Sequence, residues 1–170
     1  MNPHFFHPLG LWALTAALCL SPAGARAAGG ADRPAAAAER CAAAPWRGCD
    51  FSALFRMEGV IHSDKADTTA VFSDSFALPV ARLVQVYASG REAQRLLDAL
   101  RQGVDGDARY QPVSTIREEE RYVHVYAHAG NGGYDEILIF GVAEEERTVI
   151  QLLGAFPTEA LLKVVRHLGV

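Results

Sequence analysis

Between Gln111 and Leu153 the chain holds four short runs of alternating, β-branched-rich residues separated by three turn signals. The runs are 111–116, 121–128, 134–142 and 147–153. They are separated by Glu118-Glu119-Glu120, by Gly130-Asn131-Gly132-Gly133 and by Ala143-Glu144-Glu145-Glu146. Consecutive strands joined this closely can only pair antiparallel, so the pattern predicts a β-meander. An earlier strand is expected at 82–88 (RLVQVYA), followed by Ser89-Gly90-Arg91-Glu92, the spacing of a capping box. With Ala93, Leu96, Leu97 and Leu100 at helical intervals, this predicts a helix over 90–102 that stops at Gly103. Pro157 opens a second helix, in which Leu161, Leu162, Val165 and Leu168 share a face before Gly169. The order is strand, helix, four strands, helix. It predicts an α+β domain with the helices packed on one face of the sheet.

Residues 50–79 are less regular. Phe51, Leu54 and Phe55 have helical spacing, which suggests a short helix over 51–57, whereas Gly59-Val60-Ile61 and 68–72 have strand character. No repeat with a period of 20 to 50 residues is present.

Alternation sorts the faces of the meander. If the glycine-rich turn sets Tyr126 opposite Glu136, then Tyr122, His124, Tyr126 and His128 share a face with Tyr134, Glu136, Leu138 and Phe140. Pairing Phe140 with Val149 adds Gln151 and Leu153. The opposite face is almost purely aliphatic, with Val123, Val125, Ala127, Ile137, Ile139, Ile150 and Leu152, and is expected to meet the helices. The first face is aromatic and polar. It suits a subunit contact, a ligand groove or a half-wet sheet, and its candidate contact residues are Tyr122, His124, Tyr126, His128, Tyr134, Glu136 and Gln151. His124 and His128 point the same way, but residues four apart on a strand are separated by about 13 Å, too far to share one metal ion. His62 and His167 have no polar company in the sequence and read as surface or capping residues.

Alternate turns of a meander lie at one end of the sheet. Glu118, Glu119 and Glu120 should therefore gather with Glu144, Glu145 and Glu146, a cluster that could attract a basic partner or calcium. Arg117, Arg121 and Arg147 interleave with these glutamates and would neutralise half of them, which favours simple solvated turns.

The N-terminus reads as a targeting segment. Residues 9–20 (LGLWALTAALCL) form an apolar run, and Ala25-Arg26-Ala27 supplies a small-residue processing site, so cleavage is expected after Ala27. The run is shorter than the roughly 20 residues a membrane span needs, and an uncleaved signal anchor would be the chain's only membrane contact. Nine of the residues 28–44 are alanine, a composition too poor in bulky side chains to join a core, so 28–45 reads as a tether and 46–170 as the folded domain. Cys19 leaves with the signal. Cys41 and Cys49 remain as an even pair in an oxidising compartment, where a disulfide is the expected state.

Charge narrows the partners. Removing Arg26 with the signal takes the net charge from −4 to −5, which repels a phosphate backbone and argues against nucleic acid. Gly-x-Ser-x-Gly does not occur, the glycine-rich turn precedes no helix, and no Cys/His set has zinc spacing. No catalytic residue, metal or cofactor is expected.

Residues 83–170 resemble the bacterial exported proteins grouped as domain of unknown function 4252. The resemblance rests on a strand ending in VYA, an amphipathic helix, and then RYVHVYAH, YDEILIFGV and TVIQLLGAFPTEALLKVV. It implies export and an α+β fold and supplies no catalytic residues; the tether and the Cys41/Cys49 pair lie outside it. The expectation is an exported, non-enzymatic envelope protein that binds an envelope partner or itself through the aromatic face. The alternative is a carrier of a small molecule or lipid that uses the same face as a pocket floor.

Overall fold

The computed structural model describes residues 49–168. The expected signal (1–27), the tether (28–45) and Cys41 lie outside the described residues. The chain forms a 3₁₀ turn (Ser52–Arg56) and then β1 (Val60–Ser73), β2 (Phe76–Ala88), α1 (Arg91–Asp105), β3 (Tyr110–Glu118), β4 (Arg121–Gly130), β5 (Gly133–Val142), β6 (Arg147–Phe156) and α2 (Thr158–His167). The strands make one antiparallel sheet in the order β1-β2-β6-β5-β4-β3. The fold is α+β, with the meander supplying the four strands from β6 to the β3 edge and the β1–β2 hairpin the other edge.

Strand order dictates where α1 lies. Leaving β2, the chain must reach β3 at the far edge, four strand spacings or about 19 Å away. A helix of 15 residues spans about 22 Å, so α1 bridges that distance across β6, β5 and β4. The face it crosses is the one carrying Tyr126, Leu138, Phe140 and Val149. Ala93, Leu96, Leu97, Leu100 and Val104 bury against them. The C-terminal helix follows β6 and buries Ala160, Leu161 and Val164 against Val125, Ile137, Ile139, Ile150 and Leu152 on the other face. The helices therefore divide between the faces instead of sharing one. The physical reason is visible in the side chains: Leu138, Phe140 and Val149 leave the aromatic face too apolar to stay in water, so it too needs a cover.

Local details also depart from sequence expectation. Gly90, not Ser89, is the N-cap of α1, and the Ser89 hydroxyl donates to the Gly59 carbonyl at 3.2 Å, so the capping box does not form. The helix runs through Gly103 to Asp105, because Val104 adds another buried contact on the same stripe. At Gly59, φ is +72°, and an added Cβ would lie 2.6 Å from the Gly90 nitrogen, so only glycine fits where β1 begins beside the start of α1. In β2, Val84 and Val86 face α1, yet Leu78 and Val80 join the cluster around α2. The free end of the β1–β2 hairpin therefore wraps round the sheet's edge, where β2 no longer pairs with β6 beyond Arg82. Phe72 and Phe76 meet His167 of α2 there, at ring-centroid distances of 6.5 and 5.7 Å.

Candidate functional site

The hairpin of β4 and β5 sets His128 opposite Glu136 and Tyr126 opposite Leu138. That is two residues away from the expected pairing of Tyr126 with Glu136. A shift of two preserves alternation, so Tyr122, His124, Tyr126, His128, Glu136, Leu138 and Phe140 do share a face, and Phe140 pairs with Val149. Tyr134 is the exception. A register irregularity between Tyr134 and Glu136 turns its side chain to the α2 side, where it packs with the aliphatic cluster.

The expected open face is divided into three zones. At one end, Tyr122, His124 and Tyr126 form a ladder of near-parallel rings with centroids 6.4 and 6.5 Å apart. The Arg117 guanidinium of β3 lies 5.4 Å from the Tyr122 ring centre, and Thr115 Oγ1 lies 3.3 Å from His124 Nδ1. Tyr122 and His124 are half-buried, while Tyr126 is only 2% exposed. Burial, reinforced by the nearby Arg101 and opposed by Asp105, holds the His124 imidazole below its usual pKa.

The middle zone lies under α1. Tyr126 donates its hydroxyl to Asp105 at 2.7 Å, and Arg101 bridges to the same Asp105 at 2.9 Å. Burial, together with the bond to this carboxylate, pushes the Tyr126 phenol up to about 12.

The third zone lies under residues 49–56. Glu136 is fully buried, and three donors converge on it: the Cys49 backbone N–H at 3.2 Å, the Tyr110 hydroxyl at 2.7 Å and the Gln151 carboxamide. Gln151 Nε2 also donates to the Cys49 carbonyl at 3.0 Å. Phe51 and Leu54 seal this zone, with Phe51 edge-on to Phe140 at 6.4 Å. Burial raises the Glu136 carboxyl above the ordinary value, against the pull of its three hydrogen bonds. His128 pairs with Asp135 at 2.7 Å and meets the Tyr110 ring edge-on at 5.4 Å. Sequence reasoning passed over Tyr110 and the role of Cys49's main chain. Tyr110 sits one residue before the visible strand pattern, and a main-chain contact leaves no compositional trace.

The β3–β4 and β5–β6 turns lie at one end of the sheet, since Glu118 pairs with Arg121 and Val142 with both Tyr122 and Arg147. Glu119 and Glu120 are exposed there, as are Glu144 and Glu145. Glu146 instead accepts from the Tyr87 hydroxyl, and Arg147 reaches Asp98 on α1 at 2.9 Å. A cleft of about 440 Å³ beside the start of α1 is lined by Ser89, Arg91, Gln94, Glu144, Glu145 and Glu146. Its acidic loop is tied to α1 through Gln94 and the Glu145 carbonyl.

Among the described residues, no group of three or more His, Cys, Asp and Glu side chains could hold a metal ion. No helix among them is long and apolar enough to cross a membrane. Comparison with models of known protein families, with curated proteins and with solved structures finds no match.

Proposed function

We propose that the chain is an exported, non-enzymatic interaction domain of the cell envelope. It contacts a protein partner, or a second copy of itself, through the uncovered end of the ladder at Tyr122 and His124. The observation that carries this reading is the division of the aromatic face. Tyr126, Glu136 and Gln151 are sealed beneath α1 and residues 49–56, whereas Tyr122 and His124 keep ring surface at the sheet's end, flanked by Arg117. Stacked aromatic rings with an adjacent arginine are the side chains that concentrate binding energy at protein interfaces. The carrier alternative would need that face as a pocket floor, and its central residues are already occupied. Export rests on residues 9–27 and on the family resemblance, and a Cys41–Cys49 bond would anchor the tether where the fold begins.

The test compares the wild-type chain with the Tyr122→Ala/His124→Ala double variant by crosslinking and affinity capture from the native envelope, alongside sedimentation of the purified protein. Loss of a captured protein or of self-association in the variant is expected. Unchanged capture together with unchanged mass sinks the reading.

A further inference from the structure

The contacts at Cys49 differ in kind from the rest of the core. Glu136 accepts that residue's N–H and Gln151 donates to its C=O, so two buried side chains from β5 and β6 read both main-chain groups of one residue. Cys49 and Phe51 are buried while Asp50 between them is exposed, so alternate side chains of this short segment face the sheet before Phe51 turns the chain into the 3₁₀ helix. A permanent apolar cover would need no carboxylate beneath it, and a fully buried carboxylate whose hydrogen-bond donors are all neutral is costly.

We infer that Glu136, Gln151 and Tyr110 form a binding site for one residue of main chain, filled by the chain's own Cys49, and that a proton on Glu136 strengthens its hold. With residues 49–56 docked, the carboxyl is dry; with them lifted, water reaches it. The docked state therefore binds the proton more tightly, and by linkage the lifted state gains as pH rises. The window opens at the ordinary glutamate range and closes at the raised value of the docked state, beyond which the dependence levels off. Other titratable groups face this site: Tyr110 on β3, whose hydroxyl also lies 3.4 Å from the Cys49 sulfur, His128 on β4, and Asp135 on β5, which bonds His128. Asp107 and Arg109, from the turn before β3, pair with each other, and Asp107 also feels the charge of His128. A charged His128 favours the Glu136 anion and so opposes the linkage at low pH.

Hydrogen exchange on the full-length protein tests this. The Cys49 amide is followed from about pH 4 to 9, corrected for intrinsic rate, with the Ile139 amide in the sheet centre as reference. Opening at Cys49 should rise by up to about tenfold per pH unit within the window, and it should occur at a lower opening free energy than at Ile139, whose exchange reports global unfolding and carries the same proton. Glu136→Gln should flatten that slope. A pH-independent Cys49 amide in the wild type, or an unaltered slope in Glu136→Gln, overturns the inference. A check that needs no variant is the carboxyl resonance of Glu136: a midpoint above the ordinary glutamate range is expected, and a midpoint within that range overturns it.

Discussion

At the scale of single residues, the buried polar groups fall into two kinds. Glu136 is supplied with donors from three directions, and Tyr110 is one of them. Tyr110→Phe deletes that donor without changing the ring, so denaturant unfolding should show a loss of about 1–3 kcal/mol. The Thr148 hydroxyl and the Gln85 carboxamide, by contrast, are buried without a hydrogen-bond partner among the described residues. Replacing Thr148 by the isosteric valine removes an unsatisfied group at almost constant volume. Thr148→Val should raise the unfolding midpoint, by roughly 1 kcal/mol in stability. A loss of stability would show that the hydroxyl has a partner in solution. None of this pairing is visible in the sequence, where Glu136 and Gln151 read as contact residues of an open face and not as buried partners of each other.

At the scale of elements, the two faces behave as separate cores. Leu97 belongs to the cluster under α1 and Leu161 to the cluster under α2, with the sheet between them. Each is almost fully buried, so Leu97→Ala and Leu161→Ala should each cost about 2–5 kcal/mol. Because they share no partner, the double variant should equal the sum within about 0.5 kcal/mol, as read from chemical denaturation. A larger departure would mean that the helices communicate through the sheet. The four meander strands were legible because breakers punctuate them and because alternation survives a register shift of two, whereas β1 and the first half of β2 were not, since residues 60–79 mix polar and apolar residues without a clear period. The placement of α1 was legible only in part. Leu138, Phe140 and Val149 mark the aromatic face as needing cover, but their neighbours Tyr122, His124 and Glu136 make it look wet. Tyr134 was misplaced because one irregularity in a strand reverses every side chain beyond it.

At the scale of the whole molecule, proton linkage and surface follow from what the covers seal. Tyr87 and Tyr126 are both pushed up to about 12 by burial and by their carboxylate partners Glu146 and Asp105. In the unfolded chain they ionise near 10, so the folded state holds the extra protons and loses stability as pH rises from about 10 toward 12. Tyrosine absorbance should therefore show a late-ionising class that titrates together with loss of near-ultraviolet circular dichroism. The sealed middle of the face also fixes where another molecule can bind. A photoreactive phenylalanine analogue placed at Tyr122 on the ladder, and separately at Leu162, which is 49% exposed on the opposite side, compares two accessible positions in the native envelope. A discrete crosslinked product at position 122 and none at 162 is predicted. No product at 122, or equal products at both positions, would contradict the interaction surface.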